Sequence, residues 1–511
     1  MMVTPQITAA PIHADSMVST AIDCLRSRLE LIALFSILLV LIVVYTLQLQ
    51  AIYSAVNVAG PAALATTLLA TCYYMTRCST VVIWAPLFWF RVACAAYYGI
   101  GAMVPHVGNA ASKDYIYRVY AFGETTNLKV NIICCAGIAT TLAFSWMFVG
   151  SRRGGSGRTS RQTNDTTTIF MMTFLVVGAS LRYLVVLPYT FGLTSSVLPG
   201  FIISAAGIYY AGVYLSVFQA VRRRGIYIIA ASLIVTADVL VSVASFAKTE
   251  LIILIIFTFL GYISHVVNVR RLLVGAAVVI LSFGAFQPLV GYGREVLMMR
   301  YGQIRGADLQ ERLKIVQGYL QNGEAVERDN LALVRLSYVN VDAFVVDQYD
   351  GGAPGRTLTN AATVIVPRAL WPDKPIISQL GEDLNYLMLG RHGSSLGVGH
   401  FAEAYWNFGW WGILPLMAVL AWILATFSRV SVRIMSERNW LFLPVVFLGV
   451  NIGIRVDGHF VPDLIGASWM ALVLGTALWL IRPFCRTFDA PVDLGQASTP
   501  PPKSLRSEQR R

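Results

Sequence analysis

Charge is scarce in this chain of 511 residues. Only 13% of the residues are charged, about half the share in a soluble globular protein, whereas 56% are hydrophobic and the mean hydropathy is +0.63. So few charges cannot cover a surface that faces water. The composition excludes a soluble enzyme, a disordered scaffold and a fibrous repeat protein. It predicts an all-α polytopic membrane protein.

Several kinds of site are also missing. The seven cysteines lie in apolar segments or beside basic loops, and none falls in the polar stretch 291–400. There is no CxxC pair, no zinc spacing, no acidic cluster resembling DxD outside the membrane and no convincing internal repeat. We therefore expect no disulfide framework in this stretch, no metal ion and no cofactor.

Long apolar runs are abundant, and twelve of them predict transmembrane helices. They lie near 30–49, 52–75, 80–104, 128–149, 168–190, 196–219, 226–245, 250–267, 272–290, 401–427, 440–456 and 464–481. The predicted domains are a cytoplasmic N-terminus (1–29), nine helices (30–290), a large extracytoplasmic loop (291–400), three helices (401–481) and a disordered cytoplasmic tail (482–511). We interpret the first run as a retained anchor, because no obvious small-residue cleavage site follows it.

The basic residues predict the orientation. The net charge is +12. One set of alternate loops, with the tail, carries 21 Lys and Arg residues, and the short loops of the other set carry four. Positive loops favour the cytoplasmic side, so both termini are predicted to be cytoplasmic. This distribution also explains the net charge without nucleic-acid binding.

The stretch 291–400 is nearly neutral, with 11 basic and 12 acidic residues. Apolar residues at helical spacing predict helices at 307–320 and 331–348, lying on the surface of the membrane domain. Loops of this length are usually functional.

The segment 390–412 contains the first candidate site. Four glycines between 390 and 399 lead into a helix, and such a junction can bind a phosphate or diphosphate through backbone N–H groups. His400, Glu403 and Asn407 share one face of that helix. The alternative is an interfacial helix whose polar residues are merely solvated and whose aromatic residues form a membrane belt. These are Tyr405, Trp406, Trp410 and Trp411.

Two further polar segments are candidates. Arg455, Asp457 and His459 fall in one short external loop, where an arginine could bind phosphate and a carboxylate or imidazole could accept a proton. Alternatively, Arg455 reaches towards the membrane surface beside an acidic neighbour. In 366–375, three prolines fix an extended backbone that presents Arg368 and Lys374, unless this segment is only a rigid strap.

Three ionisable residues fall inside predicted spans, where charges are costly and face a partner or a cavity. They are Arg91, Arg182 and Asp238. One interpretation is a structural Arg–Asp pair, and the other is a positively lined cavity for a lipid diphosphate.

Two motifs resemble those of the Wzy-type O-antigen polymerases, the oligosaccharide repeat-unit polymerases. One is P-R-x-x-W-P-D-K-P, and the other, about 30 residues later, is G-x-G-H-F-x-E-A-Y-x-N-F-G-x-x-G. They cover about 366–412, and elsewhere the likeness is architectural. The resemblance implies a GT-C-like glycosyltransferase of the bacterial inner membrane. Such an enzyme polymerises undecaprenyl-diphosphate-linked repeat units into O-antigen, capsule or exopolysaccharide, without a metal.

The resemblance also suggests roles for the candidate residues. Glu403, His400 and His459 compete for the role of base, and Arg368, Arg455, Lys374, Asn407 and Asp457 are candidates for binding the diphosphate or the sugar. A chain-length regulator and a flippase are the implied partners. Two other functions stay open. An O-antigen ligase uses the same chemistry on another acceptor, and a twelve-helix transporter or flippase would explain the helix count and the buried charges.

Overall fold

The computed structural model describes residues 14–150, 164–194, 198, 200–246, 248–264, 268–301, 307–322, 334–359, 361–366, 371, 380–390 and 395–486. These residues form helices and turns, with no β-strand among them. The α-helices are α1 (Ala14–Cys24), α2 (Arg28–Thr46), α3 (Tyr53–Cys78), α4 (Pro86–Cys94), α5 (Gly101–Val107), α6 (Ala110–Val119), α7 (Glu124–Val149), α8 (Asn164–Ala179), α9 (Leu187–Thr190), α10 (Gly200–Ala206), α11 (Ile208–Arg223), α12 (Ile226–Ala244), α13 (Lys248–Ile263), α14 (Val269–Tyr301), α15 (Leu309–Asn322), α16 (Val339–Asp350), α17 (Leu380–Leu389), α18 (His400–Phe408), α19 (Trp410–Glu437), α20 (Leu443–Ile454) and α21 (Ala467–Arg486).

Short stretches of other helical geometry continue these α-helices. The π-helical stretches are Ala95–Ile100, Ser180–Val186 and Phe460–Gly466, and the 3₁₀ stretches are Gln50–Ile52, Thr80–Trp84, Val334–Leu336, Ala361–Ile365 and Trp440–Phe442. As a result, α4 and α5 form one long helix, and α21 begins in effect at Phe460.

Ten helical stretches of the described residues are long and apolar enough to cross a bilayer. They are Met17–Thr46, Gln50–Cys78, Pro86–Val107, Glu124–Val149, Thr166–Thr190, Ile202–Arg223, Ile226–Ala244, Arg270–Tyr301, Trp410–Glu437 and Phe460–Pro483. Two shorter apolar helices, Glu250–Ile263 and Trp440–Ile454, occupy the positions of the other two predicted spans. The prediction of an all-α polytopic membrane protein is therefore confirmed, with ten of the twelve spans reaching the required length.

Small residues allow the helices to pack closely. A Cβ atom on Gly178 of α8 would lie 2.4 Å from the Tyr209 backbone in α11, and one on Gly212 of α11 would lie 2.7 Å from the Leu175 backbone in α8. Such contacts between backbones favour association of helices in lipid, where packing replaces the hydrophobic driving force. In the other half of the bundle, α7 packs along α19, α2 and α3.

The helix α16 contradicts one prediction. The sequence predicts a surface helix over 331–348, but every residue of Val339–Val346 is buried. The helix packs against α7 and α18, inside the bundle. Two acidic residues of this helix have partners there: Asp347 accepts a hydrogen bond from the Tyr120 hydroxyl, and Asp350 pairs with Lys129 at 2.5 Å.

The predicted span 401–427 is also wrong at its start. The chain breaks at Gly409, which adopts φ +61° and separates α18 from the long helix α19. Only glycine adopts this left-handed conformation without cost. The break leaves α18 as a short helix whose residues His400–Asn407 are all buried. Its Phe401 lies against Gly137, midway along α7, so α18 is recessed inside the bundle.

Candidate functional site

Two backbone segments meet at the candidate site. The N–H of His400, the first residue of α18, donates to the Val456 carbonyl at 3.2 Å, and the Tyr98 hydroxyl donates to the same carbonyl at 2.9 Å. The approach is close, because a Cβ atom on Gly397 would lie 2.2 Å from the Asp457 carbonyl oxygen. The structure thus brings together the 390–412 and 454–463 candidates, which the sequence left separate.

Glu403 lies at the centre of this junction and is fully buried. Its Oε2 atom accepts a 2.6 Å hydrogen bond from the N–H of Phe460, where the last membrane helix begins. Its Oε1 atom lies 3.8 Å from Nδ1 of His459, which is also buried. The carboxylate is therefore placed at the positive end of a helix and beside an imidazole, both of which favour its charged form.

The hydrogen bond between the His459 ring and Leu396 favours a charged imidazole beside Glu403. Its Nε2 atom lies 2.9 Å from the Leu396 carbonyl oxygen, which can only accept, so we assign the proton to Nε2. In a neutral ring, Nδ1 would then turn a lone pair towards the carboxylate. A second proton on the imidazole removes this repulsion, and the pair becomes His459⁺ with Glu403⁻.

The pKa shifts agree with this assignment. Burial opposes both charges and is the largest influence on each residue. Even so, the attraction of His459 lowers the pKa of Glu403, and the hydrogen bond from the Phe460 N–H lowers it further. Glu403 and the Leu396 carbonyl raise the pKa of His459. By contrast, burial lowers the pKa of His400 below its ordinary 6.5, and the charge of His459 acts in the same direction.

Three buried atoms of this cluster lack a hydrogen-bond partner: Nδ1 of His400, Oε1 of Glu403 and Nδ1 of His459. Buried polar atoms are nearly always satisfied in folded proteins, and exceptions often mark a place for water or substrate. The cluster can accept a proton at the neutral His400 and can stabilise charge through the Glu403–His459 pair.

Arg455 and Asp457 lie at the rim of the cluster. The Arg455 side chain is 46% exposed and pairs with Asp463 through Nε at 3.2 Å. Its terminal nitrogens make no hydrogen bond to a described residue, so they are available to an anion. Asp457 accepts a 2.7 Å hydrogen bond from the Tyr338 hydroxyl.

Asn407 has a different role from the predicted one. Its amide nitrogen donates to the Thr357 hydroxyl at 2.8 Å and to the Glu403 carbonyl at 2.9 Å. Both amide hydrogens are thereby used within the protein, so Asn407 ties the turn before Ala361 to α18 instead of facing a substrate. The other two binding candidates, Arg368 and Lys374, lie outside the described residues.

The predicted aromatic belt divides at Gly409. Tyr405 and Trp406 are buried in the core, whereas Trp410 and Trp411 are exposed at the start of α19. Only the latter two are placed to meet a membrane interface.

The intramembrane arginines are held by acidic partners. Arg91, proposed as a cavity residue, is buried and forms a double contact with Glu30 at 2.7 and 2.8 Å. It also donates to the carbonyls of Leu87 and Leu25. With these four contacts, its charge is neutralised inside the bundle and does not line a cavity.

Arg182 and Asp238 form the Arg–Asp pair that was one of the two interpretations. Arg182 Nε lies 2.9 Å from Asp238, and a terminal nitrogen lies 2.8 Å from Glu250. The Tyr183 hydroxyl donates to the same Asp238 oxygen at 2.9 Å. The other carboxylate oxygen of Asp238 has no partner among the described residues.

Sequence reasoning missed Asp342. Its carboxyl group is buried on α16, one oxygen has no hydrogen-bond partner, and burial raises its pKa well above the ordinary value. Two tyrosines at the site, Tyr98 and Tyr338, were missed as well. Nothing in the local sequence distinguishes these residues, because their contacts come from distant segments.

A long apolar groove lies beside the last membrane helix. It has a volume of about 760 Å³ and lies between α19, α20 and α21. Ile465, close behind the Phe460 helix start, lines one end, and Trp479 lines the other. Its walls include Trp422, Val445 and Gly475.

Within the described residues, no group of three His, Cys, Asp or Glu side chains is arranged to hold a metal ion. No protein-family model, curated protein or solved structure matches this chain.

Proposed function

We propose that the chain is a membrane glycosyltransferase that polymerises undecaprenyl-diphosphate-linked oligosaccharide repeat units. The observation that carries this proposal is the buried cluster of His400, Glu403 and His459, with the partly exposed Arg455 at its rim. The cluster combines a neutral base, an ion pair and a partly exposed guanidinium in one place. These groups match the chemistry of displacing a diphosphate from a sugar.

In the proposed step, a hydroxyl of the incoming repeat unit attacks the anomeric carbon of the lipid-linked glycan. A C–O bond forms there, the C–O bond to the diphosphate breaks, and the lipid diphosphate leaves with the electron pair. The hydroxyl proton passes to Nδ1 of His400, which has no partner in the protein. Arg455 offers its planar fork to the leaving diphosphate.

Glu403 and His459 act in this scheme through charge and position. Their pair holds the loop 455–459 against α18, which fixes Arg455 relative to His400. A carboxylate beside the reacting centre also stabilises the positive charge that develops on the sugar ring. The sequence left the choice of base open, and the geometry favours His400, because Glu403 is already bonded to Phe460.

The apolar groove supports a lipid substrate. It is lined almost wholly by apolar side chains, and it starts next to the helix whose first N–H binds Glu403. A polyprenyl chain lying there would place its diphosphate near Arg455. A soluble sugar donor would have no use for such a groove.

There are two alternative functions. An O-antigen ligase would use the same cluster on a different acceptor. A transporter or flippase is favoured by one observation, the intramembrane network of Arg182, Asp238 and Glu250, because such charges often mark transport pathways. Both carboxylates are held by Arg182 itself, which fits a structural role better.

The function is tested in a bacterium in which this chain is the sole source of the activity. Deleting the gene should leave glycan of a single repeat unit on gels, and the wild-type gene should restore long chains. His400→Ala and Arg455→Ala should restore them poorly, with activity reduced about 10²–10⁴-fold for loss of the base. The control is Arg118→Ala, which removes an exposed arginine paired only within α6.

The outcomes separate the alternatives. Polymer that accumulates on the lipid carrier, and is absent from the final acceptor, identifies a ligase. Repeat units that accumulate on the cytoplasmic side identify a flippase. Normal chain lengths in the deletion strain would reject the proposal.

A further inference from the structure

A second cavity lies at the opposite end of α20 from the candidate site. It has a volume of about 160 Å³ and is bounded by α1, the Thr80–Trp84 stretch, α11, the end of α13 and the turn between α19 and α20. Since α20 has 12 residues, the two ends are about 18 Å apart. The cavity therefore belongs to the end of the bundle that carries the basic loops, and it is distinct from the His400 cluster.

Aromatic side chains and serine hydroxyl groups line the cavity. Trp84, Tyr214 and Trp440 are buried around it. The Tyr214 hydroxyl donates to the Ser264 hydroxyl at 2.9 Å. The hydroxyl of Ser436 is buried and has no hydrogen-bond partner. An unsatisfied buried hydroxyl indicates a place for a ligand or water that the protein does not itself fill.

The cavity is lined by one arginine without an ion-pair partner among the described residues. Arg438 lines the cavity and is exposed, and it makes no ion pair or side-chain hydrogen bond with the described residues. The neighbouring acid, Glu437, is already bonded to Arg433 at 2.8 Å. Glu437, the nearest carboxylate in the sequence, therefore does not pair with Arg438.

The conformation of Arg438 is itself unfavourable. Its backbone adopts φ +52° and ψ +39°, the left-handed region in which a glycine would be less strained. This turn therefore keeps an arginine at a position where glycine would serve the backbone better. A basic residue is favourable at the C-terminal end of α19 and in a basic loop, and Arg438 lines the same cavity as Ser436.

We propose that this cavity binds a phosphate group through Arg438 and Ser436. A guanidinium offers several N–H donors in a planar fork that fits phosphate, and the serine hydroxyl adds one more donor. The cavity is smaller than the roughly 300–1,000 Å³ of pockets for drug-sized ligands, so it suits a phosphate and not a nucleotide or a glycan. The proposal does not depend on the glycosyltransferase assignment.

The phosphate could belong to an anionic phospholipid or be free in solution. The basic loops at this end would attract anionic lipids, and a lipid head group could enter from the membrane surface. The chemistry of recognition is the same for both sources, and the experiment below separates them.

The test uses the full-length protein, purified in a maltoside detergent and a phosphate-free buffer. It is titrated by calorimetry with inorganic phosphate, with dihexanoyl phosphatidylglycerol and with dihexanoylglycerol, which has no phosphate. We expect at least one of the two phosphate probes to bind and dihexanoylglycerol not to bind. Binding of inorganic phosphate indicates a site open to the free anion, and binding of phosphatidylglycerol alone indicates a lipid head-group site.

Substitutions locate the binding. Arg438→Gly suits the left-handed backbone, so it should fold well and yet bind the phosphate probe about tenfold more weakly or not at all. Arg438→Lys should retain part of the affinity. Ser436→Ala should weaken binding about fivefold. The matched control, Arg77→Gln, removes an exposed positive charge that is hydrogen-bonded to Tyr73 and does not line the cavity, and it should leave the affinity unchanged.

Three results would overturn the proposal. They are equal affinity in Arg438→Gly and wild type, equal loss in Arg77→Gln and Arg438→Gly, and no binding of either phosphate probe to the wild type.

Discussion

His400 and His459 lie beside the same carboxylate, yet their pKa values move in opposite directions. His400 is buried, has no hydrogen-bond partner for Nδ1, and has its pKa lowered. His459 donates to a carbonyl and faces Glu403, and its pKa is raised. Two residues of one type thus differ in pKa within one site, which is a common way of separating the base from the stabilising charge.

The pH dependence of the rate follows from these shifts. His400 must be neutral to accept a proton, so activity should fall as the pH drops through its pKa, which lies below 6.5. The Glu403–His459 pair needs a protonated His459, so activity should fall again as the pH rises through a pKa above 6.5. A polymerisation assay across pH 4–10 should therefore give a bell-shaped profile.

Substitution at His459 tests which residue causes the acidic and which the alkaline limb of the pH profile. In His459→Gln the alkaline limb should disappear, while the acidic limb stays. A rate that keeps rising through alkaline pH in the wild type, or an alkaline limb that survives in His459→Gln, would contradict the assigned charges.

At the level of elements, the break at Gly409 decides where the site lies. Without it, α18 and α19 would form one continuous helix, as the sequence predicted. The break turns α18 into the bundle, so that His400 and Glu403 meet the loop 455–459. A Cβ atom at Gly409 would lie 2.4 Å from the Tyr349 hydroxyl, so the space excludes a side chain as well.

Gly409→Ala should therefore damage both stability and activity. Gly409 has φ +61° and ψ −148°, a region essentially restricted to glycine, so another residue there costs roughly 1–3 kcal/mol, and the contact with Tyr349 adds to this. We expect a lower melting temperature in detergent and a reduced polymerisation rate. Gly318→Ala in α15, which has φ in the ordinary range and open space around it, should be neutral or stabilising by up to about 1 kcal/mol. Equal effects of the two substitutions would show that the break is not needed.

The sequence predicted the elements that depend on local pattern and missed those that depend on distant contacts. Apolar runs predicted the membrane helices, and the loop-to-helix junction at His400 was recognised. The burial of α16 could not be predicted, because Asp347 and Asp350 are satisfied by Tyr120 and Lys129 from other segments. In the same way, the partner of Arg91 is Glu30, which sits at the edge of a predicted span and shows no sign of a pairing.

For the whole molecule, the groove between α19, α20 and α21 is the proposed place of the lipid chain. Gly475 lies on its wall, and a Cβ atom there would meet only Val445 at 3.7 Å. Gly475→Leu should fill part of the groove without disturbing the fold. If a polyprenyl chain lies there, the new side chain takes up part of its space and removes packing contacts, so the KM for the lipid-linked substrate should rise with kcat little changed.

The matched control is Gly284→Leu in α14, which introduces the same side chain into open space on another membrane helix. It should leave the kinetics unchanged. A normal KM in Gly475→Leu, or an equal increase in both variants, would exclude the groove as the place of the lipid chain.

The buried position of α16 has a consequence for biosynthesis. This helix has 12 residues and carries three aspartates, so the insertion machinery cannot place it in the bilayer as a span of its own. The helix α16 must therefore first lie on the same side of the membrane as the rest of the 291–400 segment. It then enters the bundle from that side. The helix α7, against which it packs, is made earlier, so this contact forms only after the chain has been synthesised as far as Asp350.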